Sequence, residues 1–97
     1  MRAVLILHSK ELKGDELIEI KIWRVPKTLE KPDGVKYSIV YIKDGRRLIG
    51  YDNAEGKGDH RHHGEREESY KFTNIWNLLK DFKRDVKKIR GGDWDED

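Results

Sequence analysis

Tyr37-Ser38-Ile39-Val40-Tyr41-Ile42-Lys43-Asp44-Gly45-Arg46-Arg47-Leu48-Ile49-Gly50-Tyr51-Asp52 is the stretch that decides the fold. Two runs rich in β-branched and aromatic residues flank Asp44-Gly45. A two-residue type I′ loop needs positive φ at both central positions, which aspartate tolerates and glycine adopts freely. The stretch therefore reads as a hairpin with strands over residues 37–43 and 46–52. A regular register pairs Lys43 with Arg46, Tyr41 with Leu48, Ile39 with Gly50 and Tyr37 with Asp52 on one face. The other face carries Val40 with Ile49 and Ser38 with Tyr51.

Upstream, residues 15–25 alternate, with Ile18, Ile20 and Ile22 on one side and Glu19 and Lys21 on the other, as in a half-buried strand. Residues 2–8 form a nearly continuous apolar run, expected to be a strand buried on both faces or the start of a strand, with a turn over 10–14. Pro26 closes the second strand, and Pro32-Asp33-Gly34 marks a turn-rich connection. Downstream, residues 68–72 suit a short further strand. From Thr73 the apolar period lengthens: Ile75, Leu78, Leu79, Phe82, Val86 and Ile89 make one helical stripe. Thr73 or Asn74 can cap its start, and Gly91-Gly92 stops it near residue 90. Trp76, at the stripe's edge, is expected to pack. The predicted class is α+β: an antiparallel β-sheet of about four strands packed against a C-terminal α-helix.

The chain has 97 residues, no cysteine, and no apolar run approaching the roughly 20 residues of a membrane span. Residues 1–92 are predicted to form a single domain, soluble and cytoplasmic, without disulfides or thiolate metal ligands. Glutamine is absent and asparagine occurs three times against 21 Lys and Arg, a thermophile-like balance in which charge runs are usually solvated faces. The formal net charge of +2 conceals a tail, residues 93–97, that carries four acids around Trp94 and is predicted to be disordered. Without it the body holds 21 basic against 15 acidic residues, a balance compatible with a nucleic acid as partner.

The hairpin leads directly into Tyr51-Asp52-Asn53-Ala54-Glu55-Gly56-Lys57-Gly58-Asp59-His60-Arg61-His62-His63-Gly64, which holds three of the chain's four histidines. Histidine is the side chain whose ordinary pKa lies nearest neutrality. If the backbone is extended here, His60 and His62 point the same way and can face one ligand. Cleaving an RNA phosphodiester needs a base for the 2′-OH and an acid for the leaving oxygen, and two imidazoles supply both. Lys57 and Arg61 would then stabilise the charged phosphorane, while Asp52 and Asp59 orient the histidines. A second account makes the histidines, with Asp59 or Asp52, ligands of a divalent metal, although the spacing matches no standard zinc signature. A third makes them a solvated loop or a structural ion network.

Gly56-Lys57-Gly58 lacks the spacing of a nucleotide-hydrolysing phosphate loop. Arg61 and Arg66 suit bidentate phosphate contacts, yet residues 57–71 balance four basic against four acidic side chains. That balance favours chemistry or internal pairing over simple tethering to nucleic acid.

Asp44-Gly45-Arg46-Arg47, Gly50-Tyr51-Asp52-Asn53 and Gly56-Lys57-Gly58-Asp59-His60-Arg61-His62, followed by Gly64, Arg66 and Glu67, resemble the TumE family of toxin-like proteins. The likeness runs from about Trp23 to Phe82 and includes Trp23-Arg24-Val25-Pro26. It implies one half of a toxin–antitoxin pair, with a cognate antitoxin that is a DNA-binding helix-turn-helix protein, and it leaves a homodimer open. Analogy with other small toxins points to RNA as the target. The expected site is then His60, His62, Asp52 and Asp59 for catalysis, with Lys57, Arg61, Arg66 and Tyr51 holding substrate, and neither metal nor other cofactor. A non-catalytic module binding nucleic acid or protein is the alternative, and a metal-dependent or nucleotide-transferring toxin is a third reading.

Overall fold

The computed structural model describes residues 3–53 and 58–91. Lys57, Trp94 and the acidic tail lie outside the described residues. Six strands precede one helix: β1 Val4–Lys13, β2 Glu16–Arg24, β3 Val35–Lys43, β4 Arg46–Asp52, β5 His60–His63, β6 Arg66–Ser69 and α1 Ile75–Arg90. The strands form one antiparallel meander in the order β1-β2-β3-β4-β5-β6, and α1 covers one face. The fold is α+β as expected, but the sheet has six strands rather than about four. The extra hairpin, β5–β6, reads His-Arg-His-His and Arg-Glu-Glu-Ser. It has no apolar alternation to announce it, and its cross-strand neighbours pair by charge instead, Arg61 opposite Glu68 and His62 opposite Glu67.

Asp44 and Gly45 both take positive φ, 54° and 75°, as the tight turn requires. The register departs from the regular one. Lys43 pairs with Arg46 and Ile42 with Arg47, but Tyr41 then pairs with Ile49, Ile39 with Tyr51 and Ser38 with Asp52. Leu48 is the extra residue of a β-bulge. Two residues of β4 oppose one of β3 there, and every later side chain of β4 changes face. Tyr51, expected opposite Ser38 on the face away from Tyr41, is instead fully buried beside Ile39 on the helix face. Asp52 moves from that face to the open one.

The core is Ile18, Ile22, Tyr37, Ile39, Tyr41, Ile49 and Tyr51 from the sheet, with Leu78, Phe82 and Val86 from α1. Tyr51 meets the Phe82 ring edge-on at 6.3 Å, and Tyr37 stacks on Phe72 at 5.3 Å. The Asn74 side chain accepts from the Asn77 amide at the start of α1, and Gly91, with φ of 75°, ends it. The last turn is tied down by Arg90, which bonds Glu16 at 2.8 and 2.9 Å and lies over the Tyr41 ring.

Two further expectations are corrected. The apolar run of β1 is not buried on both faces: Val4, Leu5, Ile6, Leu7 and Leu12 are all exposed. As the outermost strand it pairs only with β2, and no other layer of the described residues covers it. Trp76 is 72% exposed, because it lies off the line of Leu78, Phe82 and Val86.

Phe82→Ala is expected to cost about 3–5 kcal/mol in denaturant unfolding, since the ring is fully enclosed between sheet and helix. A loss under about 1 kcal/mol would show that α1 is not seated as described. Glu16 makes a second test. Its carboxyl is held below the ordinary range chiefly by the Tyr41 hydroxyl, with Arg90 adding to the effect. Its stabilisation is therefore complete above the ordinary glutamate range, about pH 4.5, and disappears as pH falls through the depressed value. In Tyr41→Phe the Glu16 carboxyl should titrate at higher pH by NMR, and acid unfolding should begin earlier.

Candidate functional site on the open face of the sheet

Strand β5 pairs with β4 so that Asp52 opposes His60, Gly50 opposes His62, Tyr51 opposes Arg61 and Ile49 opposes His63. Alternation then sorts the histidine segment. His60 and His62 fall on the open face with Asp52, while Arg61 and His63 fall on the helix face with Tyr51 and Ile49.

On the open face, His60 Nε2 lies 3.0 Å from Asp52 Oδ1 and 3.3 Å from Glu67 Oε2. Its Nδ1 lies 3.1 Å from the Gly58 carbonyl oxygen, which accepts its proton. Both ring nitrogens thus face acceptors, an environment satisfied when each carries a proton. His62 Nε2 lies 3.9 Å from Asp52 Oδ2 and 3.9 Å from Glu67 Oε2, and the two imidazoles meet edge-on with centroids 5.0 Å apart. The side chain of His60 is 8% exposed and that of His62 13%. Burial pushes the His62 pKa below the ordinary imidazole range, with the charge of Arg47 next in effect. Arg47, opposite Ile42, precedes the bulge at Leu48; the bulge brings Gly50 and Asp52 onto its face, and the Arg47 side chain lies over Gly50. A methyl group added at Gly50 would meet Arg47 Cδ at 3.1 Å and His62 Cδ2 at 3.6 Å. The absence of a side chain there leaves room for arginine and imidazole together.

One donor atom each from Asp52, His60 and His62 lie within 4.8 Å of one another, a set able to hold a divalent metal. A pocket of about 400 Å³ opens beside it, lined by Asp59, His60, Glu67, Glu68 and Ser69.

The remaining expected site residues lie elsewhere. Asp59 Oδ2 accepts from the Tyr37 hydroxyl at 2.6 Å, and its carbonyl accepts from the Tyr70 amide, so it anchors the start of β5 rather than a histidine. Arg61 donates to Glu68 at 2.5 and 2.6 Å and lies 3.5 Å from the Tyr51 hydroxyl. Tyr51 donates a very short hydrogen bond to Asp85 of α1, and His63 Nε2 lies 3.2 Å from the same carboxylate. Asp85 is 3% exposed, so this helix-face network is part of how α1 docks. Arg66 sits at the exposed start of β6, 3.7 Å from Glu68.

Sequence reasoning missed Glu67, Arg47 and Asp85. The first follows from recognising the Gly64-Glu65 turn, which sets residue 67 opposite residue 62. Placing Arg47 with Asp52 needed the bulge, which carries Asp52 onto the face that Arg47 already occupies. Asp85 was visible as a lone acid inside the stripe of Phe82, Val86 and Ile89.

Residues 3–90 match the family model described as Toxin TumE, and the chain belongs to that family. Membership implies a cognate antitoxin as partner. No curated protein and no solved structure matches the chain. Among the described residues, no helix is long and apolar enough to cross a membrane.

If Arg47 depresses the His62 pKa as its position indicates, Arg47→Ala should raise it. Imidazole proton shifts followed across pH measure this directly. An unchanged titration would remove Arg47 from the site.

Proposed function

We propose that this member of the TumE toxin family acts on RNA, with His62 as general base and His60 as general acid. The observation that carries the reading is the convergence of two imidazoles on the same two carboxylates, with the rings in different surroundings. His62, its pKa lowered by burial and Arg47, is kept neutral and available to take a proton. His60 has an acceptor at each ring nitrogen, the Gly58 carbonyl at Nδ1 and the Asp52 and Glu67 carboxylates at Nε2, and serves as the proton donor. Separate environments for two like groups are how one site assigns an acid and a base.

The reaction balances without a cofactor. His62 removes the proton of a ribose 2′-OH, and the 2′-oxygen attacks the adjacent phosphorus. The bond from phosphorus to the 5′-oxygen breaks, and His60 delivers its proton to that oxygen. The products are a 2′,3′-cyclic phosphate and a 5′-hydroxyl end. Arg47 supplies positive charge for the phosphorane, with Lys57 of the Gly56-Lys57-Gly58 segment as a further phosphate contact. Asp59 and Arg61 act indirectly on this reading, Asp59 by fixing the start of β5 and Arg61 by joining β5 to β6. A module that only bound a partner would have no need of two imidazoles in contrasting environments.

His60→Ala and His62→Ala should each abolish RNA cleavage and toxicity while circular dichroism stays native. The rate of the native chain should follow a bell-shaped pH profile whose acidic limb lies below the ordinary imidazole range. Cleavage should persist in a chelator. Intact RNA after incubation with folded native protein would leave the binding-module reading standing in its place.

A further inference from the structure

We propose that Asp52, His60 and His62, with Glu67, bind one divalent transition-metal ion of the zinc class, and that this ion inhibits the site by displacing the protons on which it works. Only the inhibition rests on the acid–base reading; the binding stands on geometry alone.

The spacing is the first argument. Donors 2.0–2.1 Å from a tetrahedral ion lie roughly 3.3 Å from each other. Across the imidazole–carboxylate pairs the separations here are 3.0, 3.3, 3.9 and 3.9 Å, and one donor atom each from Asp52, His60 and His62 lie within 4.8 Å of one another, so side-chain movements of about an ångström close the set on an ion. The donor atoms of Asp52, His60 and His62 converge from two paired strands, and Glu67 adds a more exposed oxygen from the third.

Orientation is the second argument. A ligating histidine is usually fixed by a hydrogen bond from its other ring nitrogen to a carbonyl or carboxylate. His60 already has that bond, Nδ1–H to the carbonyl of Gly58, which turns the Nε2 lone pair toward Asp52 and Glu67. The His60 side chain is more than nine-tenths buried, so packing also holds the ring.

Charge is the third. Without a proton between them, a neutral Nε2 and a carboxylate oxygen 3.0 Å apart present lone pairs to each other, and the contact is repulsive. A proton relieves it, and so does a cation. Two nitrogens and two carboxylates suit zinc, cobalt or nickel better than magnesium, which favours oxygen donors and keeps its water. An ion held by both Nε2 atoms takes the lone pair that His62 uses as base and the position of the proton that His60 delivers as acid.

The test uses the full-length chain stripped of metal. Calorimetric titration with zinc chloride should give one ion per chain, and cobalt should develop the visible absorption of a low-coordinate site. Asp52→Asn and His62→Ala, each checked for native circular dichroism, should weaken binding by at least about tenfold. His63→Ala, altered on the opposite face, should bind as the native chain does. Zinc should slow RNA cleavage, and a chelator should restore it. Absence of binding, or equal binding by the native chain and both variants, would overturn the site. Cleavage stimulated by zinc would overturn the inhibition and the metal-free chemistry together. Zinc binding with the expected variant pattern, but no cleavage under any condition, would support the site and count against the ribonuclease reading alone.

Discussion

One extra residue, Leu48, decides what shares the open face of this sheet. Up to Arg47 the hairpin follows the register that Asp44-Gly45 imposes, and Arg47 stands opposite Ile42. Past the bulge the alternation reverses, so that Ile49 and Tyr51 turn into the core while Gly50 and Asp52 turn out. Without the reversal, Asp52 would point at the helix and Tyr51 at solvent. With it, arginine, a gap at glycine and a carboxylate line up on one surface. Bulges often re-aim side chains in this way beside functional sites.

Strand β5 then reads the result. Its pairing with β4 sets His60 against Asp52 and His62 against Gly50, and the intervening residues go to the other side. The two faces accordingly do different work with the same residue types. On the covered face, His63, Tyr51 and Arg61 surround Asp85 or pair with Glu68, and the network helps hold α1 on a sheet whose far strands have no aliphatic residue. A buried carboxylate removed from such a network leaves its partners unsatisfied, which is why the covered face belongs to stability. On the open face the carboxylates hold two imidazoles that no helix covers.

Much of this was legible in the sequence, and the misses have physical causes. The Asp44-Gly45 turn, the alternation of β2, the stripe of α1 and its cap at Asn74 all follow from local rules that tertiary contacts did not override. The grouping of His60 with His62 followed from period two once the backbone was extended. The same parity argument, applied to Arg61, would have placed it on the opposite face from the start. The bulge left no local mark, because Leu48 and Ile49 are equally apolar and either can face the core. Strand β5 was hidden because its pairing is ionic, the short strand expected over 68–72 lies two to three residues earlier as β6 for the same reason, and the exposure of β1 was hidden because an apolar run does not reveal whether a layer will cover it.

The central claim is that His60 and His62 form one centre with Asp52 while His63 belongs to a separate network. Long-range imidazole nitrogen–proton spectra recorded across pH test it most directly, since each ring reports its own protonation and tautomer. The account predicts that neutral His60 carries its proton on Nδ1, and that Asp52→Asn moves the ring resonances of both His60 and His62 while leaving those of His63 in place. A His60 ring protonated on Nε2, or an Asp52→Asn spectrum in which His63 moves and His62 does not, would contradict it.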